Sequence, residues 1–285
     1  MVSCQQRLSS SAFEPPKIPR TLSSSVEKTI YLADHYWDSF AFEDTSMVVE
    51  TDVLGKLWMD YVEILSLAPS EVACRSLVKM LHRAEANKSV FVSLTELSDM
   101  YFYQSDSPYR SDSLYRCVLE VESVSSLTSD VEKILPKSRL ALLNKNCEGE
   151  AAENFFLADA RGAKSELYAL DTPYILLFFH DPDCHACEEM KEEMKKNKLL
   201  RRLIEEKKLS LLAFYPYGNV DVWKEQLPSY PEKWIVAYDE KQTILNEERY
   251  DLKTVPCLYL LDSAKIVLLK EPSLREVKAY LKAKL

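Results

Sequence analysis

The sequence predicts an all-α N-terminal domain followed by an α/β domain with a mixed sheet. From residue 23 to 146, apolar residues recur at three- and four-residue steps, and the only glycine is Gly55. After Cys147, short apolar runs alternate with amphipathic segments, which is typical of strands that alternate with helices. We therefore divide the chain into a tether over 1–22, a helical domain over 23–146 and an α/β domain over 147–285.

Composition and charge argue against nucleic-acid binding and against a membrane-spanning helix. The chain has 285 residues, with 36 Lys and Arg against 45 Asp and Glu, and so a formal net charge of −9. Binding to nucleic-acid phosphates requires clustered cationic side chains, so we expect no nucleic-acid partner. No run of 18 apolar residues occurs, and the sequence therefore contains no candidate membrane-spanning helix.

The first residues resemble the end of a bacterial lipoprotein signal. A small residue, Ser3, precedes Cys4, and Gln5-Gln6 and a Ser/Pro-rich segment follow, although the apolar region that precedes such a cysteine is missing. The resemblance implies a lipid anchor on Cys4 and a periplasm-facing protein of the cell envelope, with the membrane reached only through that lipid. An ordinary cysteine in a cytoplasmic protein is the alternative.

The apolar stripes of the N-terminal domain predict five or six helices. Cys74 and Cys117 lie on these stripes, and we interpret them as small buried apolar residues without a redox role. Seven cysteines without regular spacing do not describe a disulfide scaffold. The aromatic residues are interpreted as core residues: Trp37, Trp58, Tyr101 and Tyr103.

The C-terminal domain is predicted element by element from its apolar runs and turn residues. Residues 155–168 predict a hairpin that turns at Gly162, and Ser273 is expected to cap a final helix. Between them we expect strands at 174–179, 209–215 and 234–238, a strand pair at 255–261 and 265–269, one helix over 185–208 and a short helix over 220–226.

Two thiols stand where the first long strand passes into a helix, in Cys184-His185-Ala186-Cys187. Cysteines three positions apart can close into a disulfide, and helix N-terminal amides stabilise a thiolate. A structural zinc site would need a second ligand pair, and no second C-x-x-C occurs. The motif therefore predicts redox chemistry. Cys184 is the expected nucleophile and Cys187 the resolving thiol, and their disulfide is the only redox group required.

The order of elements resembles the thioredoxin fold. The C-x-x-C follows the first long strand, and Val255-Pro256 precedes a late strand. The opening hairpin is similar to that of the periplasmic TlpA/ResA-like thiol-disulfide oxidoreductases in Gly149-x-x-Ala152, Phe155-x-Leu157, Asp159-x-x-Gly162 and Leu167. The resemblance implies that Pro256 is cis and that Val255 presents its backbone to the dithiol and to a substrate peptide. It also implies protein dithiols or disulfides as substrates and a redox partner protein.

The helical segment resembles the uncharacterised domain that precedes a thioredoxin-like domain in lipoproteins of gut Gram-negative bacteria. The similar pieces are Tyr31-Leu-Ala-Asp-His-Tyr-Trp-Asp38 and Asp106-Ser-Pro-Tyr-Arg110. The sequence gives this domain no function of its own.

The dithiol departs from thioredoxin at two positions. Asp183 stands where thioredoxin has tryptophan, and Phe178 stands where it has a buried acid. Proton transfer to and from Cys187 must therefore use another group or water. We expect His185 to tune Cys184. Charges of opposite sign surround the motif, so the direction of the reaction, as reductant, oxidant or isomerase, stays open.

Two other functions compete with thiol-disulfide exchange. Cys257 follows Pro256, so in this fold Cys184, Cys187 and Cys257 together with His185 or His180 form a donor set of the kind that copper and zinc prefer. The alternative for Cys257 is a thiol that points into the sheet. The second competitor is a non-catalytic envelope binding module on a thioredoxin-like scaffold, because a fold alone does not confer activity.

Overall fold

Two units make up the chain, Met1–Leu140 and Ala141–Leu285. The structure, a computed structural model, describes residues 13–45 and 51–284, so Cys4 and its expected lipid anchor lie outside the described residues. No helix in the described ranges is long and apolar enough to span a bilayer.

The N-terminal unit is helical, as predicted. Each helix begins where the apolar periodicity begins, and several start at a side-chain cap: Ser24 forms a capping box with Glu27, and Asn87 and Ser111 cap later helices. A π-helical turn over Asp99–Tyr103 continues the fourth helix. In the described residues the helices are α1 Ser25–His35, α2 Thr51–Leu67, α3 Ser70–Ala84, α4 Lys88–Ser98, α5 Asp112–Val124 and α6 Ile134–Leu143.

The core of this unit is formed by the predicted apolar stripes. Trp37 and Trp58 are buried, which confirms their assignment to the core. Tyr101 and Tyr103 are only partly buried and stack on other tyrosines at the edge of the core. The apolar face of each helix therefore supplies most of the burial that holds this unit together.

A disulfide joins Cys74 on α3 to Cys117 on α5, with their Cα atoms 5.9 Å apart. The interpretation of these residues as unpaired apolar side chains was therefore wrong. Periodicity shows that each cysteine lies on an inward stripe, but it does not show which two stripes face each other. Packing of α3 against α5 brings together thiols that are 43 positions apart in the sequence.

We expect the Cys74–Cys117 bond to stabilise the helical unit. By the chain-entropy model, closing a loop of 43 residues stabilises the folded state by about 4 kcal/mol. Denaturant unfolding of Cys74→Ser/Cys117→Ser should therefore show a lower unfolding free energy than the parent, and reductant should have the same effect on the parent. Cys147→Ser is the control. An unfolding midpoint that neither change moves would contradict the prediction.

The C-terminal unit is built on one mixed sheet of seven strands with the order β2-β1-β5-β4-β3-β6-β7. β3 and β4 are parallel, as are β4 and β5, and the remaining pairs are antiparallel. The strands are β1 Phe156–Ala158, β2 Lys164–Glu166, β3 Tyr174–Phe179, β4 Leu209–Tyr215, β5 Ile235–Tyr238, β6 Cys257–Asp262 and β7 Val267–Lys270. The helices are α7 His185–Lys196, α8 Lys198–Glu205, α9 Val220–Gln226, α10 Thr243–Asn246 and α11 Leu274–Lys284.

The interior strand β3, between β4 and β6, supplies side chains to both faces of the sheet. Leu176 and Phe178 pack with Cys187 and with apolar residues of α7, α8 and α11. Ile175, Leu177 and Phe179 pack on the opposite face, in a cluster that includes Cys257. This alternation follows from the two-residue period of a strand, and it separates the dithiol from Cys257 by the thickness of the sheet.

Most predicted elements of this unit are confirmed, and three differ. The single helix expected over 185–208 breaks at Asn197, whose backbone is extended and whose side chain accepts hydrogen bonds from the Leu199 and Leu200 N–H groups. Asparagine is a strong N-cap, and here it ends α7 and begins α8. The short helix α10 was not predicted, and β6 begins after Pro256 because proline cannot donate to a ladder.

Candidate functional site

A β-turn after β3 places the first thiol. The carbonyl of Asp181 accepts the Cys184 N–H at 3.1 Å, and its carboxylate accepts the Asp183 N–H at 2.9 Å. Asp181 and Pro182 occupy the first two positions of the turn, where Asp and Pro are favoured. The turn therefore ends with Cys184 at the N-cap of α7.

The Cys184 sulfur lies between a helix amide and the proline loop. It accepts the Cys187 N–H at 3.2 Å, and it lies 3.5 Å from the carbonyl oxygen of Val255. Cys184 is partly exposed, and neither it nor Cys187 is in a disulfide. An N-cap sulfur that already accepts a backbone N–H is in the position where a developing thiolate is stabilised.

The second thiol is in a different environment. Cys187 is buried, on the inward face of α7 and in the apolar cluster around Phe178. Burial raises the pKa of the Cys187 thiol well above its ordinary value, and its hydrogen bond with Cys184 acts in the same direction. The structure therefore combines an accessible sulfur with a buried one that resists ionisation.

The loop before β6 carries the two expected groove residues, and the Val255-Pro256 peptide bond is cis, as expected. A buried ion cluster holds this loop to the end of β7. The Lys253 ammonium lies 2.9 Å from the Asp251 carboxylate and 3.4 Å from that of Glu271, and each of these side chains is at most 7% exposed. The cluster fixes the backbone that presents the Val255 carbonyl to Cys184.

Lys253→Met should destabilise the C-terminal unit strongly. Removing one partner of a buried ion pair costs about 3–5 kcal/mol, because the charge that remains is buried without compensation. Lys278→Met is a matched control, since Lys278 pairs with Glu193 at 2.9 Å with the carboxylate side chain 58% exposed, and exposed pairs contribute below about 1 kcal/mol. Equal losses of unfolding free energy in the two variants would contradict a specific role for the cluster.

The remaining expected site residues do not all converge on the dithiol. His185 is 89% exposed, and its Nε2 lies 3.3 Å from the Glu189 carboxylate. Cys257 is buried on the face of the sheet opposite Cys187, so the three cysteines of the copper or zinc alternative do not meet. Within the described ranges, no group of three or more His, Cys, Asp or Glu side chains is arranged to hold a metal ion.

A small cavity behind Cys187 contains polar side chains, and of these the sequence revealed only His180, as a possible metal ligand. His180, Glu188, Lys191 and Tyr230 line it together with Cys187. Only the helical spacing could have indicated that Lys191 is buried, because Lys191 lies one turn beyond Cys187 on the inward face of α7. A pattern of alternating Lys and Glu along that helix suggested a solvated surface instead.

His180 is buried between aromatic rings. It stacks on Phe178 at 5.0 Å, and its Nδ1 lies 3.3 Å from the Tyr230 hydroxyl. Burial, helped by the nearby Lys191 charge, lowers the pKa of His180 from 6.5 to about 3. The imidazole is therefore neutral in the folded protein across the range in which an unfolded histidine becomes charged.

We expect His180 to make stability depend on pH. Between about pH 6.5 and pH 3 the unfolded chain binds a proton at His180 that the folded chain does not bind. The unfolding free energy therefore decreases by about 1.4 kcal/mol for each unit by which the pH is lowered. His180→Gln retains an acceptor for Tyr230 and should reduce the slope of unfolding free energy against pH by that amount between pH 6 and pH 4. The control is His185→Gln, at an exposed position. Identical slopes for His180→Gln and the parent would refute the assignment.

Comparison with known proteins places the N-terminal half in a family. A family model described as a domain of unknown function, DUF5106, matches residues 2–146. The chain belongs to the DUF5106 family. The crystal structure of a thioredoxin-like protein from Bacteroides caccae is 38% identical to this DUF5106 protein, with a TM-score of 0.90, and the alignment covers 96% of this chain and 99% of that chain.

Two shorter structures match half of the DUF5106 protein. The C-terminal domain of an uncharacterized protein from Bacteroides fragilis is 39% identical over 48% of this chain and 98% of that chain, with a TM-score of 0.47. A thiol-disulfide oxidoreductase from Bacteroides fragilis is 20% identical over 48% of this chain and 100% of that chain, with a TM-score of 0.42. No curated protein matches. The full-length match confirms the predicted fold, a thioredoxin-like C-terminal unit that follows a separate helical one.

Proposed function

We propose that the protein is a thiol-disulfide oxidoreductase that exchanges disulfides with protein substrates through Cys184 and Cys187. One observation supports this most strongly. The Cys184 sulfur accepts a helix N-terminal amide and lies 3.5 Å from the Val255 carbonyl beside the cis Pro256. A substrate peptide that paired with the Val255 backbone would bring its own sulfur to Cys184, and the substrate groove would be formed by Val255 and Pro256.

The exchange takes place in two balanced steps. The Cys184 thiolate attacks one sulfur of a substrate disulfide, forms a mixed disulfide and expels the other substrate sulfur as a thiolate. Cys187 then loses its proton and attacks Cys184, which expels the second substrate thiolate and leaves the Cys184–Cys187 disulfide. The substrate gains two electrons and two protons, and the protein dithiol is oxidised. A redox partner protein reverses the change, and no cofactor beyond the disulfide takes part.

We place this activity in the cell envelope, facing the periplasm, with Cys4 as the lipid-bearing residue. The Cys74–Cys117 disulfide supports an oxidising compartment, because stable disulfides are rare in the cytosol. Fractionation of the cells that produce the protein, with mass spectrometry of the N-terminal peptide, tests the location and the lipid. A protein found in the cytoplasm without lipid would refute this part.

Neither competing function is favoured by the site. A copper or zinc centre needs Cys257 beside the dithiol, and Cys257 lies on the other face of the sheet. A non-catalytic binding module would have no use for an accessible sulfur paired with a resolving thiol one helical turn away. Trapping of a covalent substrate complex, described next, distinguishes disulfide exchange from non-covalent binding.

Cys187→Ser should trap a covalent complex between Cys184 and a substrate, since the mixed disulfide forms but is not resolved. The complex should appear on non-reducing gels, disappear with reductant and be absent from Cys184→Ser/Cys187→Ser. The parent should reduce insulin in the presence of dithiothreitol, and Cys184→Ser should lose this activity. Cys147→Ser is the matched control and should behave as the parent. An active parent whose Cys187→Ser variant traps nothing would show that the two roles are assigned wrongly.

The reduction potential decides the direction of exchange. Equilibration of the dithiol with glutathione buffers, followed by thiol alkylation and mass spectrometry, measures this potential. A value near about −270 mV indicates a reductant, and a value near about −120 mV indicates an oxidant.

A further inference from the structure

The cavity behind Cys187 contains a buried cation. Lys191 lies four positions after Cys187 on the same inward face of α7, so their Cβ atoms are about 6 Å apart. Its side chain is 3% exposed, and its ammonium lies 2.5 Å from the Glu188 carboxylate and 2.7 Å from the Ser229 hydroxyl. The ammonium also lies 4.6 Å from the ring centroid of Tyr230. A buried lysine with this many partners is held in place.

The other groups that face Cys187 do not supply a positive charge. His180 is neutral, as described above, and burial keeps the pKa of Tyr230 above its usual range. The pKa of Tyr217 is raised in the same way. Asp181 and a Cys184 thiolate are the anions that raise the pKa of the Cys187 thiol. Among the residues that line the cavity, Glu188 adds a further carboxylate and Lys191 adds the one positive charge.

Resolution requires the buried thiol to ionise. Phe178 offers no proton acceptor at the strand position below the dithiol, and an apolar cluster surrounds Cys187. Its thiolate must therefore be stabilised by charge or dipoles from the cavity. A backbone hydrogen bond with Asp181 lowers the pKa of the Cys187 thiol. The Lys191 ammonium adds the one positive charge among the residues that line the cavity, and the half-exposed Glu188 carboxylate weakens its effect.

We infer that Lys191 stabilises the Cys187 thiolate during resolution of the mixed disulfide, and that Glu188 opposes it. This inference rests on the proposed exchange reaction. When Cys187 attacks Cys184, the proton of Cys187 passes through solvent to the departing substrate thiolate, and electrons move only between sulfurs. Lys191 forms no bond in the step. It changes the fraction of Cys187 that is thiolate, and so the rate of the second step alone.

Substitutions of the two charged residues should change the rate of resolution in opposite directions. A purely structural role would not produce opposite effects. Lys191→Met removes the cation and leaves the Glu188 anion, so resolution should slow by up to about tenfold for each unit by which the Cys187 pKa rises, because the thiolate fraction falls tenfold and a more basic thiolate recovers part of the loss as a better nucleophile. Glu188→Gln leaves the cation and still accepts a hydrogen bond from it, so resolution should become faster. The double variant should fall between the two single variants.

The measurement follows the reduced full-length protein with dithiobis-nitrobenzoate in a stopped-flow absorbance experiment. Attack by Cys184 releases one nitrothiobenzoate ion, and resolution by Cys187 releases a second. Cys184→Ser and Cys187→Ser identify the two phases and correct for the other thiols. Each rate is measured from pH 6 to pH 9. In Lys191→Met the first phase should be unchanged, and the second phase should be slower than in the parent at every pH. In Glu188→Gln the second phase should be faster than in the parent at every pH.

A second ion pair on the same helix gives the matched control. Lys195 and Glu192 repeat the three-residue spacing of Lys191 and Glu188 but lie at the surface, so Lys195→Met and Glu192→Gln should leave both phases unchanged. Circular dichroism checks that each variant is folded. If Lys191→Met does not fold, the direction of change in Glu188→Gln decides, because slower or unchanged resolution there overturns the inference.

Failure of this inference and failure of the proposed function give different results. If the parent shows no phase that depends on Cys184, the exchange reaction itself is refuted. If both phases are present and Lys191→Met and Glu188→Gln shift the second phase in the same direction, or leave it unchanged, only the role of Lys191 is refuted.

Discussion

The hydrogen bond from the Cys187 N–H to the Cys184 sulfur is the interaction on which the site depends. It exists because the turn Asp181–Cys184 ends at the first turn of α7, so that a thiol occupies the N-cap position. The N-cap geometry aims the helix amides at this sulfur and leaves it accessible. The same geometry places the second thiol one turn further, on the buried face of the helix, and so gives the two chemically identical side chains different surroundings.

The sheet brings the proline loop close to the dithiol. The turn follows β3 and the proline loop precedes β6, and these strands are direct antiparallel neighbours, with Phe179 opposite Cys257. The Val255 carbonyl therefore approaches Cys184 from the adjacent strand end. The buried cluster of Asp251, Lys253 and Glu271 then holds that loop against the end of β7. A charged cluster in an apolar core contributes little net stability, but it makes a misplaced loop costly because any separation exposes unpaired buried charges.

Much of the molecule could be predicted from local pattern. The helices of the N-terminal unit and the strands of the C-terminal unit appear at the predicted places because burial of an apolar stripe, with its period of 3.6 or 2, is a local property. The position of the two thiols could also be predicted, since the C-x-x-C directly follows a buried strand and precedes a helical pattern. Errors occurred where one residue outweighed the pattern: Asn197 divided one expected helix into two through its capping side chain.

The sequence by itself determined the order of elements and the position of the two thiols at the start of α7. Only the tertiary structure decided which stripes face each other, and so it alone joined Cys74 to Cys117 and separated Cys257 from Cys187. It alone also brought Lys191, Tyr230 and His180 together behind Cys187. The physical reason is that the periodicity of apolar residues depends on one segment alone, whereas a contact between distant segments depends on how two elements pack.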